Sequence, residues 1–106
     1  MLMSMARQKP PPELRELARR VAAIVRDEVG REAQVFWFGS WVWGDATPRS
    51  DLDIGVLGTA ALAPASRARI DDELDALPSL RRIDVVDMRC VRQELRDRVL
   101  REGVAL

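Results

Sequence analysis

The chain has 106 residues, of which 47% are hydrophobic and 32% charged, with 17 Lys+Arg balancing 17 Asp+Glu. This is the composition of one globular domain, not of a disordered chain; no apolar run approaches the ~20 residues of a membrane helix, and the opening MLMSMARQKPPP lacks the ~7–15-residue apolar core of an export signal. Zero net charge argues against tight, non-specific grip on nucleic acid, which needs a basic excess to neutralise phosphates.

A single cysteine, Cys90, has no internal disulfide partner, fits a reducing cytoplasm, and reads as a small buried residue without chemistry. The chain has no histidine and no tyrosine. A metal site must therefore be built on carboxylates, and a serine–histidine catalytic pair is excluded.

In chain order, residues 1–11 read as a loose leader and 12–106 as the folded domain. Pro12 suits a first helical turn, where its missing N–H costs nothing. Leu14, Leu17, Val21, Ile24 and Val25 follow in steps that give one buried helix face, and Gly30 stops the helix. Ala33 to Phe38 is short, apolar and aromatic, a strand buried on both faces. Ser40 to Trp43 predicts a short helical turn closed by Gly44, and Asp45 to Ser50 has loop chemistry.

Asp51 to Leu57 alternates with the period of a strand. Pro64 opens a second long helix with Ile70, Leu74 and Leu77 inward and Pro78-Ser79 at its end. Leu80 to Val86 contains a third strand centred on Ile83–Val86, and Val91, Leu95, Val99 and Leu100 mark a last helix before Gly103. The order is that of an α/β domain with a small sheet. Three strands make a minimal sheet, so a face or edge is expected to need a partner.

Three features converge on chemistry. Gly39-Ser40 ends a strand just before a helical turn, where glycine lets a phosphate approach the backbone, free N–H groups favour an anion and the Ser40 hydroxyl adds a donor. Asp51 and Asp53, two apart in a strand, share one face at ~6–7 Å along the backbone. Two like charges side by side call for a counter-charge, and a hard cation with oxygen ligands, typically Mg2+ bridging to phosphates, supplies it. Asp84, central in an apolar strand, is an expensive carboxylate unless a second ion or a hydroxyl to be deprotonated occupies it. Asp87, three residues on, faces the opposite side and reads as solvated or as a helix cap.

Gly39-Ser40, ten intervening residues and Asp51-Leu52-Asp53 resemble the signature of the DNA polymerase β-like nucleotidyltransferases. The phrase Gly39-Ser40-Trp41-Val42-Trp43-Gly44-Asp45-Ala46, with Ser50-Asp51-Leu52-Asp53, is similar to the minimal nucleotidyltransferases, or MNT proteins. The resemblance spans roughly residues 13–105. It implies the nucleotidyltransferase, polymerase β palm-like fold, with a small mixed sheet flanked by helices. It further implies two Mg2+ ions on Asp51, Asp53 and Asp84, and ATP held by Gly39 and Ser40; Arg49, outside the family phrase, reads as a solvated loop residue or as a further phosphate ligand. The reaction would be transfer of AMP to a hydroxyl. MNT proteins are commonly paired with HEPN-domain proteins in toxin–antitoxin modules, so the implied partner is a HEPN ribonuclease toxin and the implied acceptor its tyrosine.

Relatives often carry a Gly-Ser-Arg-x-Arg-Gly phrase. Trp41 and Trp43 replace those basic residues here, and Arg49, Arg81 or Arg82 are candidates for the missing charge. The tryptophans read first as core or interface residues and second as base-stacking platforms. Two apart, Trp41 and Trp43 diverge by ~200° in a helical turn, so one is expected to be exposed as a docking anchor. The arginines of the last helix (Arg92, Arg96, Arg98 and Arg101) alternate with Glu94, Asp97 and Glu102 as a solvated, salt-bridged face. Two rival readings accompany the enzyme: a non-catalytic antitoxin that occludes its partner, and a stand-alone small-molecule nucleotidyltransferase.

Overall fold

A computed structural model describes residues 10–106. Most of the expected leader lies outside the described residues; of it, Pro11 is seen as the N-cap of the first helix. The elements are α1 (Pro12–Val29), β1 (Gln34–Phe38), α2 (Ser40–Trp43), β2 (Leu52–Leu57), α3 (Pro64–Asp75), β3 (Ile83–Asp87), α4 (Gln93–Glu102) and β4 (Val104–Ala105). They form a mixed sheet in the order β3-β2-β1-β4, with β1 antiparallel to β2 and β4 and with β2 parallel to β3.

The two faces of the sheet follow from strand alternation. Val35 and Trp37 of β1, Leu52, Ile54 and Val56 of β2 and Val85 of β3 point one way. They pack with Leu14, Ala18, Val21 and Val25 of α1 and Ile70 of α3 into the main core. Leu17 and Leu74 are partly buried against it, as the helical spacing predicts. Leu77 also packs there, although α3 ends at Asp75 and only a turn carries the chain onward. On the opposite face Phe38, Met88 and Val99 form a smaller cluster, edged by Phe36, Trp43, Leu57, Val86, Val91 and Leu95. That face is only half covered by apolar residues, and the remainder carries Asp53 and Asp84.

Several expectations are corrected. The sheet has four strands, not three: Val104 and Ala105 pair with Trp37 and Phe36, and the Leu106 N–H donates to the Val35 carbonyl at 2.9 Å. The chain thus covers one edge of β1 itself. A two-residue strand has no readable period, which is why alternation did not reveal it. The third strand is β3, Ile83–Asp87, as its apolar centre predicts, and Leu80 before it is fully exposed. Leu100 is exposed because Val99, ~100° away around the helix, takes the inward position. Cys90 is exposed in the turn after β3 rather than buried.

Candidate active site

The site is built at one end of the central strands. β1 runs to Phe38, and the chain then turns at Gly39 with φ 88° and ψ −160°, a region open essentially to glycine alone. A Cβ at Gly39 would also collide with the Asp53 carboxylate. The glycine is therefore dictated twice, by the turn and by the acid beside it. The Gly39 carbonyl accepts from the N–H groups of Val42 and Trp43 at 3.0 and 2.9 Å, which winds α2. Gly44, with φ 89°, ends it. The first N–H groups of such a turn have no intrahelical acceptor. Ser40, its first residue, is half-buried beside them.

Asp53 lies opposite Phe38 in the β1–β2 ladder and opposite Asp84 in the parallel β2–β3 ladder. All three positions share one face of the sheet. Asp51, just before β2, is half-buried and forms an ion pair with Arg82, Nε to Oδ2 3.9 Å. Burial, then the charges of Asp84 and Asp51, raise the Asp53 carboxyl from its ordinary 3.8 to about 6. Asp53 thus sits in the field of both other acids. Asp84 is exposed, not buried as its apolar neighbours suggested, because the face it shares with Asp53 is open there. Among the described residues, no three Asp, Glu or Cys side chains stand close enough to hold a metal ion as they are disposed. Like-charge repulsion favours such a spread arrangement, and the oxygen-only donor set suits a hard cation such as Mg2+.

Asp87 points to the other face, as the spacing from Asp84 requires, yet it is only partly solvated and caps no helix. It is half-buried and accepts from the Leu62 N–H at 2.8 Å and the Arg89 N–H at 3.0 Å, tying two connections to the end of β3. Arg49 is exposed in the turn between Thr47 and Ser50, where its N–H donates to the Thr47 hydroxyl at 3.3 Å.

The tryptophans correct the expectation of an exposed anchor. Trp37 and Trp41 are 2% and 4% exposed and belong to the main core. Trp43 diverges to the opposite face, as helical geometry demands, but there it meets Phe38 and is covered by the Arg98 guanidinium 3.6 Å above its ring. Arg98 also pairs with Glu102 at 3.2 Å, as the alternation of charges predicts, so the one side chain serves both the salt-bridged face and the indole. Residue spacing could not reveal two contacts at the site. The Trp41 indole N–H donates to the Ser50 carbonyl at 3.2 Å, and Arg81 donates to the same carbonyl at 2.8 Å.

The polymerase beta nucleotidyltransferase profile matches residues 24–106. The chain belongs to that family. No curated protein matches it at the level of sequence. Among solved structures, one described as a candidate minimal nucleotidyltransferase is 33% identical with a TM-score of 0.64, over 88% of this chain and 95% of that one. A toxin–antitoxin structure with AMP-PNP is 28% identical, TM-score 0.65, over 83% of this chain and 70% of that one. A complex of a tri-AMPylated Shewanella oneidensis HEPN toxin with its MNT antitoxin is 25% identical, TM-score 0.62, over 87% and 70%. The expected fold is thereby established, as is the family to which the Gly-Ser and Asp-Leu-Asp phrases pointed. Among the described residues no helix is long and apolar enough to cross a membrane.

Proposed function

We propose that this nucleotidyltransferase is an antitoxin that transfers AMP from ATP to a tyrosine hydroxyl of a HEPN toxin. The observation that carries the proposal is the placement of Asp53 against Asp84 across one ladder, with Asp51 beside them and Gly39-Ser40 at the mouth. The family membership and the AMPylated HEPN toxin bound to a structurally similar protein support the same reading.

In this reading Asp51 and Asp53 hold Mg2+, with Asp84 completing the set. The bound ions supply charge neutralisation at the triphosphate and at the displaced oxygen. The N–H groups that open α2 and the Ser40 hydroxyl receive phosphate oxygens, and Gly39 keeps that approach free of side-chain bulk. The acceptor oxygen attacks the α-phosphorus in line; a new P–O bond forms, the α–β bridge breaks, and pyrophosphate leaves. Asp84, exposed on the solvent side of the acidic face, takes the hydroxyl proton. Arg49 reaches the triphosphate from the exposed turn that precedes Asp51.

The test is to incubate the chain with ATP, Mg2+ and a HEPN-domain protein, and to weigh that partner. AMP-modified partner supports the enzyme. A tight complex without modification replaces it with the occluding antitoxin.

A further inference from the structure

We infer that Arg81 is a positioning residue for Asp51, acting through the carbonyl of Ser50. This role rests on the metal-binding reading of the aspartates given above and deepens it.

The placement follows from the sheet. β3 runs parallel to β2, and the Leu52 N–H donates to the Arg82 carbonyl at 2.9 Å, so the residue before Arg82 is carried alongside the residues before Asp51. From there the Arg81 guanidinium donates to the Ser50 carbonyl at 2.8 Å and to the Pro48 carbonyl at 3.2 Å. It also lies over the Trp41 ring, 5.4 Å from the centroid. Trp41 is buried, so its ring is a fixed wall, and its indole N–H takes the second lone pair of the same Ser50 carbonyl.

The turn itself is weakly held. Within it the Ser50 N–H donates to the Thr47 carbonyl at 3.0 Å and the Thr47 N–H to the Ser50 hydroxyl at 2.8 Å, the latter an exposed contact. Those bonds close the turn on itself but do not anchor it to the domain. Buried Ala46 before the turn and the Arg82–Asp51 ion pair after it hold its two ends, and Arg81 and Trp41 grip the peptide that leads directly into Asp51. A planar guanidinium can stack on an indole and serve two carbonyls at once; an ammonium cannot do all three.

The consequence is a metal affinity that depends on Arg81 although Arg81 is no ligand. Groups that orient metal ligands in this way typically contribute about 10–100-fold to metal affinity. The experiment is a Mn2+ titration followed by electron paramagnetic resonance on the full chain, comparing wild type with Arg81→Met, Arg81→Lys and Trp41→Phe. Thermal melts confirm folding, and AMP-PNP affinity is measured alongside. Arg81→Met should weaken Mn2+ binding by about 10–100-fold, Arg81→Lys should restore only part of it, and AMP-PNP affinity without metal should stay unchanged. Trp41→Phe, which keeps the packing and loses one donor, should show a smaller loss in the same direction and stands in if Arg81→Met does not fold. Equal Mn2+ affinity in wild type and the Arg81 variants overturns the positioning role alone, as does loss of AMP-PNP affinity with Mn2+ binding intact. A wild-type chain that takes up no Mn2+ overturns the metal reading itself, and the positioning role with it.

Discussion

Asp53 and Asp84 face each other across the parallel β2–β3 ladder, and neither has a cation beside it among the described ion pairs. Burial first, and then the charges of Asp84 and Asp51, push the Asp53 carboxyl up from its ordinary 3.8 to about 6. Because the folded value lies above the unfolded one, stabilisation by the protonated form is fully present below the unfolded value. It is lost as pH rises through the folded one. Without divalent cations, the melting temperature should fall between about pH 4 and 6. Asp53→Asn should abolish that dependence and raise stability at neutral pH by about 1 kcal/mol, allowing for solvent screening at a half-exposed site. The same variant should lose nucleotide transfer. Thermal melts in a chelating buffer check the first part; a destabilised Asp53→Asn chain would contradict it.

Gly39→Ala should cost about 1–3 kcal/mol from backbone strain alone, because its φ and ψ lie where side chains are rarely tolerated. The added methyl also displaces the Asp53 carboxylate. Urea unfolding measures the cost, and Mn2+ binding measures the displacement. A variant that unfolds like wild type and binds Mn2+ equally would show that the turn relaxes freely.

Ser40→Ala should weaken ATP use by about 1.5–3 kcal/mol, the worth of one hydrogen bond to a charged group. The ratio kcat/KM for ATP reads it. No change would place the phosphates away from Ser40, and a collapse of many orders of magnitude would give the hydroxyl a structural role instead.

Trp41→Ala should cost about 3–5 kcal/mol of stability, as expected for truncating a large buried aromatic. It should not act as the loss of a docking anchor. Binding of a HEPN partner, measured on the folded fraction, separates the two.

Much of this was legible in the sequence because the chemistry rests on short-range spacing. A glycine between a strand and a helical turn must bend the chain, whereas Asp51 stands just before β2, so strand alternation fixes the face of Asp53 but not that of Asp51. Asp84 stands out in the sequence only by its place in an apolar strand, and the parallel ladder sets it opposite Asp53. What spacing could not show is what a side chain meets across the fold. Trp43 diverges from Trp41 as expected, but Phe38 and Arg98 cover it, so divergence did not mean exposure. Arg81 looked like spare positive charge, and only the parallel pairing of β3 with β2 brings it to the Ser50 carbonyl. β4 escaped notice because two residues carry no period, although they occupy the edge that a three-stranded sheet would have left open.

The most direct measurement is the intact mass of the HEPN partner after incubation with this chain, ATP and Mg2+, with Asp53→Asn run in parallel. The account predicts one or more added AMP groups on the partner's tyrosine with the wild-type chain and none with the variant. An unmodified partner in both reactions, or equal modification in both, would contradict it.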